Sequence, residues 1–157
     1  MSHLANQESA SPPATIIVIF GASGDLTARK LAPAIFNLSQ DQLLPENCFL
    51  IGVGRSPMQD NEFRKYLKDS LDQYSRRKID EVNWQKLESN IFFHGGAYDD
   101  PNSFNQLEEL ILGLEKKLQN SAQCLFYIST PPSVFEPILE NLGESGLAKR
   151  NHGSGFA

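Results

Sequence analysis

The sequence has only two cysteines in 157 residues, and neither stands at a metal-ligand spacing from another cysteine or a histidine. No apolar run approaches the roughly 18 residues that a membrane-spanning helix needs. The formal net charge is negative, at -5 at pH 7, whereas a nucleic-acid surface needs a basic face. These absences predict no metal site, no membrane partner and no nucleic-acid partner, and the cysteine usage predicts a reduced, cytoplasmic location.

The remaining composition is that of one globular domain. Apolar residues make up 40% of the chain and charged residues 21%, which is ordinary for a folded protein. Residues 1–14 lack the basic start and apolar core of a signal peptide, so we expect a disordered N-terminal tail there and one domain over residues 15–157. Cys48 and Cys124 lie in apolar runs and are expected to fill the core.

Short apolar segments alternate with amphipathic ones along the chain. Near-continuous apolar character predicts buried strands over residues 15–20, 48–53, 90–94 and 124–129. Apolar spacings of three and four predict helices over residues 63–74, 104–118 and 134–142, with a short helix over 83–89. Because strand and helix alternate, the predicted fold is a doubly wound parallel α/β sheet with helices on both faces.

Pro33 interrupts the apolar stripe that follows the first strand. A proline inside a helix costs about 3 kcal/mol and disfavours helix at the preceding residue. We therefore expect a two-part element here: a turn over residues 25–28, then a helix with Pro33 near its first turn or at a kink.

The turn "GASGDL" after the first strand has the features of a phosphate-binding loop. Gly21 and Gly24 allow a sharp turn and the close approach of a pyrophosphate. Free N–H groups at the start of the next helix supply partial positive charge. The spacing is G-x-x-G rather than G-x-G-x-x-G, and a P-loop is excluded because Gly-Lys-Ser/Thr is missing. The alternative is a plain strand-to-helix turn; under both interpretations we expect the Asp25 carboxylate to cap backbone N–H groups.

The second strand ends in Arg55-Ser56, where an NAD-binding fold would carry an acidic residue. A guanidinium suits the 2′-phosphate of NADP. A charge-assisted hydrogen bond of about 1.5–3 kcal/mol would favour NADP over NAD by roughly one to two orders of magnitude. Ser23 and Ser56 can add hydroxyl donors. The alternative is a solvated arginine after a strand.

Four segments, taken in order, resemble the N-terminal domain of the glucose-6-phosphate dehydrogenase family. They are "FGASGDLTARKLAPAIFNL", "LLPENCFLIGVGRSP", "GAYDD" and "LFYISTPPSVFEPI". The resemblance covers residues 15–157 and implies a Rossmann-type NADP-binding domain. It further implies an oxidoreductase of the pentose phosphate pathway, which oxidises glucose 6-phosphate to 6-phosphogluconolactone with hydride transfer to NADP. Full-length members of this family are homo-oligomeric.

The resemblance also implies the cofactor contacts. The pyrophosphate loop corresponds to Gly21, Ala22, Ser23, Gly24, Asp25 and Leu26, with Ser23 also near the 2′-phosphate. Arg55 matches the arginine that binds the 2′-phosphate, and Ser56 is its neighbour. Ala97 and Tyr98 resemble the segment that lines the adenosine. Thr130 and Pro131, with Pro132, resemble the wall beside the nicotinamide ribose.

Two motifs of the family have no match here: a Glu-Lys-Pro motif and a later His-Tyr-Leu-Gly-Lys-like motif with the histidine base. His3, His94 and His152 offer no replacement, because none has a carboxylate partner in a matching context; a structural role is expected for His94. We therefore predict no catalytic residue, weak NADP binding without turnover, and a C-terminally incomplete stretch of such a dehydrogenase. The alternative is a non-catalytic NADP-binding module that acts as a sensor or partner.

Overall fold

A computed structural model describes residues 13–149, which form a four-stranded parallel sheet flanked by helices. The strands are β1 (Thr15–Phe20), β2 (Cys48–Gly54), β3 (Ile91–Gly95) and β4 (Gln123–Ile128). The helices are α1 (Ala32–Gln40), α2 (Asp60–Tyr74), α3 (Glu81–Glu88), α4 (Pro101–Leu118) and α5 (Phe135–Glu144). The predicted strands are confirmed to within one residue at each end. The predicted tail lies outside the described residues, apart from Pro13 and Ala14.

The strand order is β3-β2-β1-β4, with every pair parallel. The chain runs from β1 through α1 to β2 on one side, and later crosses from β3 through α4 to β4 on the other side of β1. The order therefore reverses between β1 and β4. In open parallel sheets, ligands bind at the carboxyl ends of the strands beside such a reversal.

Alternate residues of β1 point into two separate cores. Ile16, Val18 and Phe20 pack in a cluster with side chains of α4 and α5, whereas Ile19 packs with side chains of α1, α2 and α3. A strand buried on both faces is what its continuous apolar run predicts. The doubly wound parallel α/β fold is thus confirmed.

Strand β4 is an edge of the sheet and is covered less completely. Leu125 and Tyr127 are 55% and 41% exposed. Their partners in β1 are Ile17 and Ile19, so both side chains lie on the face that α1, α2 and α3 cover further along.

Pro33 is accommodated by a change of helical pitch. The segment Thr27–Leu31 is π-helical, and the Ala32 N–H donates to the Thr27 carbonyl five residues back. Helix α1 then begins at Ala32, with Pro33 in its first turn, where no backbone N–H is needed. The expected turn over residues 25–28 is wrong, because residues 25–31 are helical and lead directly into α1. The placement of Pro33 in the first turn of the following helix is confirmed.

Both cysteines are buried thiols. Burial raises the pKa of the Cys48 and Cys124 thiols to about 11, so both stay protonated and fill the core as predicted. Within residues 13–149, no helix combines the length and the apolar character that crossing a bilayer requires.

Candidate functional site

The turn after β1 depends on glycine at its first position. Gly21 has a φ of +78°, and a Cβ there would collide with the carbonyl oxygen of Ser129 at the end of β4. The Gly21 N–H donates to the Val53 carbonyl at 2.9 Å and to the Tyr98 hydroxyl at 3.0 Å. Glycine therefore lets the turn sit directly against the ends of both neighbouring strands.

Backbone hydrogen bonds occupy some of the loop's N–H groups and leave others as donors. Ala22 donates to the Val53 carbonyl at 3.1 Å, and Gly24 donates to the Gly21 carbonyl at 3.0 Å. Among the described residues, no protein acceptor is found for the N–H groups of Ser23, Asp25 and Leu26. Because Asp25 and Leu26 begin the helical segment, these donors lie where helix geometry favours an anion.

Asp25 does not cap this helix start, so that part of the prediction is wrong. Its carboxylate accepts a hydrogen bond from Arg29 Nε at 2.6 Å, one turn further along, and its side chain is 76% exposed. An i,i+4 ion pair on the helix surface competes successfully with capping. The consequence is that the backbone donors stay available to a ligand.

Thr27 stabilises the turn and was missed from the sequence. It is fully buried, and its hydroxyl donates to the Gly21 carbonyl at 3.3 Å. The same carbonyl accepts the Gly24 N–H. A small polar residue within an apolar stripe was the available signal, because a buried hydroxyl needs a nearby backbone partner.

Arg55 extends from the end of β2 to the same cleft. Its guanidinium carbon lies 5.7 Å from the centroid of the Tyr98 ring, within cation–π range. Arg55, Ser23 and Gly24 all line one cavity. The positive side chain predicted to read the 2′-phosphate thus lies beside the loop predicted to bind the pyrophosphate.

Tyr98 links the loop after β1 to helix α5. Its ring is buried, its hydroxyl accepts the Gly21 N–H, and its carbonyl accepts a hydrogen bond from Asn141 Nδ2 at 3.0 Å. Burial raises the pKa of the Tyr98 hydroxyl, opposed in part by the Gly21 hydrogen bond and by Arg55. Tyr98 therefore remains a neutral phenol that connects β1, Arg55 and α5.

The cleft at the carboxyl ends of β1, β2 and β4 has a volume of about 220 Å³. It brings together most of the predicted cofactor residues, namely Gly21, Ser23, Gly24, Arg55, Ser56, Tyr98, Thr130 and Pro131. It also includes Gly54 and Ser129, which were not predicted. The Ser129 hydroxyl is buried and has no hydrogen-bond partner among the described residues.

The other predicted residues lie beside the cleft rather than in its lining. Ala22 is fully buried under the loop. Asp25 and Leu26 are exposed at the helix start, and Ala97 is exposed next to Tyr98. Any contact of Asp25 or Leu26 with a ligand in the cleft would therefore use their backbone N–H groups.

His94 connects β3 to α4. Its Nε2 donates to the Ser103 carbonyl at 2.8 Å and lies 3.0 Å from the Ser103 hydroxyl. Burial lowers the pKa of His94, although the Ser103 hydrogen bond opposes this. His3 and His152 lie outside the described residues.

Comparison with known proteins identifies the domain that this chain resembles. A family model described as "Glucose-6-phosphate dehydrogenase, NAD binding domain" matches residues 18–155. The glucose-6-phosphate 1-dehydrogenase of Chlamydia muridarum is 36% identical over 143 residues, which cover 90% of this chain and 28% of that protein. The Dictyostelium discoideum enzyme of the same name is 36% identical over 135 residues, covering 85% of this chain and 26% of that protein.

Solved structures give the same result. One described as "Glucose-6-phosphate dehydrogenase in complex with its substrate glucose-6-phosphate" superposes with a TM-score of 0.77 at 30% identity, covering 85% of this chain and 28% of that chain. A glucose-6-phosphate 1-dehydrogenase from Mycobacterium avium has a TM-score of 0.75 at 24% identity, and it supports the fold alone. The chain thus spans little more than a quarter of the length of these relatives.

Proposed function

Because this chain belongs to the family of the NAD-binding domain of glucose-6-phosphate dehydrogenase, we propose that it binds NADP in the cleft at the carboxyl ends of β1, β2 and β4. The observation that carries this proposal is that two features lie next to each other at the carboxyl ends of these strands. One is the set of N–H donors at Ser23, Asp25 and Leu26, and the other is the guanidinium of Arg55.

The residues present fit such a cofactor. Gly21 and Gly24 carry no side chain, so a pyrophosphate can approach the backbone at these two positions. The Ser129 hydroxyl is buried and has no hydrogen-bond partner within residues 13–149, so a ligand in the cleft can supply one. The cleft also lies at the reversal of strand order, where this class of sheet binds nucleotides.

Each group of residues has a distinct role in the proposed complex. The N–H groups of Ser23, Asp25 and Leu26 donate to the pyrophosphate, and Arg55 with Ser56 binds the 2′-phosphate. Tyr98 and Ala97 lie on the adenosine side. Thr130 and Pro131 form the wall beside the nicotinamide ribose. When bound, the nicotinamide accepts a hydride from the substrate.

We extend the proposal to the activity of the relatives: oxidation of glucose 6-phosphate to 6-phosphogluconolactone in the cytoplasm, with this domain holding the cofactor. The two buried thiols suit a reducing compartment. Residues 15–157 would then be one NADP-binding domain. His94, the only histidine among residues 13–149, is hydrogen-bonded to Ser103, so it is engaged in the fold and is not the base for the sugar hydroxyl in this proposal.

Titration calorimetry of the 157-residue chain with NADP and NAD tests the proposal. We expect measurable binding of NADP and weaker binding of NAD. In a parallel assay with glucose 6-phosphate, we expect no NADPH fluorescence to develop. Absence of binding to both dinucleotides would contradict the proposed function, and NAD binding as tightly as NADP would contradict the role of Arg55.

A further inference from the structure

A tyrosine on α2 contacts the predicted pyrophosphate loop without lining the cleft. The Tyr66 hydroxyl lies 3.0 Å from the Ser23 carbonyl oxygen and 3.1 Å from the Gly24 carbonyl oxygen. Carbonyl oxygens only accept, so the hydroxyl donates and its one proton is shared between them. Neither the sequence patterns nor the family resemblance assigns a role to this residue.

Tyr66 is held on a rigid part of the molecule. Its ring stacks on the Phe63 ring with an interplanar angle of 17°, and Phe63 is fully buried against Gly52 of β2. The start of α2 is joined to β3, since Asp60 accepts the Phe93 N–H at 2.7 Å and Arg64 donates to the Ile91 carbonyl at 2.9 Å. These contacts hold the Tyr66 hydroxyl in place, so its hydrogen bonds can orient the loop.

The peptide plane converts this contact into an orientation of the loop's donors. In a trans peptide, the carbonyl of one residue and the N–H of the next point in opposite directions. Because Tyr66 holds the Gly24 carbonyl toward α2, the Asp25 N–H is directed away from α2. The same hydrogen bonds draw the negative ends of two carbonyl dipoles away from the place where an anion would bind.

We propose that Tyr66 is a positioning residue for the dinucleotide: its hydroxyl orients the peptides between Ser23 and Asp25 so that the Asp25 N–H meets the pyrophosphate. The inference rests on the proposed function. The proposed role of Tyr66 differs from that of Arg55, because the pyrophosphate is common to NAD and NADP whereas the 2′-phosphate is present only in NADP. Loss of the Tyr66 hydroxyl should therefore weaken both dinucleotides to the same extent.

The chain offers a matched control in Tyr74. Tyr74 lies on the same helix and lines the same cavity as Tyr66, between α2 and the helix start. Its ring faces the Arg29 guanidinium at 4.8 Å, and its hydroxyl has no hydrogen bond to any described residue. Tyr66→Phe and Tyr74→Phe thus remove the same atom from the same helix, but only the first removes the contact with the loop.

The test compares three ligands by calorimetry or NMR titration: NADP, NAD and adenosine 2′-phosphate, which has no pyrophosphate. In Tyr66→Phe, loss of one neutral hydrogen bond predicts a Kd for NADP and for NAD that is about three- to tenfold higher. The Kd for adenosine 2′-phosphate should be unchanged, and Tyr74→Phe should match the unmodified chain for all three ligands.

The outcomes separate this inference from the proposed function. If the unmodified chain binds neither dinucleotide, the proposed function fails and this inference fails with it. If the unmodified chain binds NADP and Tyr66→Phe binds it equally well, only the inference is overturned. Parallel weakening of all three ligands would also overturn it, because a general structural defect and not the pyrophosphate contact would then explain the loss.

Discussion

Replacement of Arg55 by alanine should change cofactor preference without abolishing dinucleotide binding. Arg55 lies in the cleft that contains Ser23 and Gly24, and its guanidinium is placed over the Tyr98 ring. A hydrogen bond between charged groups contributes about 1.5–3 kcal/mol, which corresponds to roughly a tenfold to hundredfold change in Kd. Arg55 is exposed, so screening by solvent places the expected loss of NADP affinity near tenfold.

The assay is a calorimetric titration of both dinucleotides at low and at physiological salt. Arg55→Ala should weaken NADP, leave NAD nearly unchanged, and reduce the salt dependence of NADP binding. Arg77→Ala is the charge-matched control, because Arg77 pairs with Asp41 at 2.9 Å and does not line the cleft. Equal loss of NAD and NADP affinity in Arg55→Ala would refute the assignment to the 2′-phosphate.

Two further predictions concern stability. Gly21→Ala should lower the free energy of unfolding by more than about 1 kcal/mol in urea titrations, because φ is +78° and the Cβ meets the Ser129 carbonyl. Gly113 lies in α4, where an added Cβ would have no described atom within 4 Å, so Gly113→Ala should instead stabilise the fold by about 0.5–1 kcal/mol. A loss of stability at position 113, or no loss at position 21, would contradict this. Burial lowers the pKa of His94 in the folded chain. Below the unfolded pKa of about 6.5, the unfolded chain therefore binds more protons at His94 than the folded chain does, and stability decreases as the pH is lowered. As the pH is lowered from about 7 to 5, His94→Gln should lose stability less steeply than the unmodified chain. Identical slopes for the two chains would show that His94 does not contribute to the pH dependence of stability.

Elements with strong patterns were predictable from the sequence. The strand over residues 15–20 was placed correctly because a continuous apolar run fits a strand buried on both faces. The family match confirms the predicted family, and the matching domain is described as NAD-binding. The loop was recognisable because glycine is required where the backbone approaches Ser129 and turns with a positive φ.

Other features depended on geometry that the sequence pattern alone does not encode. Asp25 was expected to cap the helix, but the choice between a cap and an ion pair with Arg29 depends on the helical register, which Pro33 shifts through a π-helical segment. Ser129 joins the cleft only because β4 pairs with β1. Tyr66 reaches the loop from more than 40 residues away in sequence, and no local pattern encodes that contact.

The most direct test of the proposed cofactor site is an NMR titration of the ¹⁵N-labelled chain with NADP. The account predicts that the largest amide shifts occur at Ser23, Asp25 and Leu26, and that the Arg55 side-chain Nε–H signal shifts with them. Repeating the titration with NAD should retain the amide shifts and lose most of the Arg55 shift. Shifts confined to another surface, such as the exposed face of β4, would contradict the proposed site.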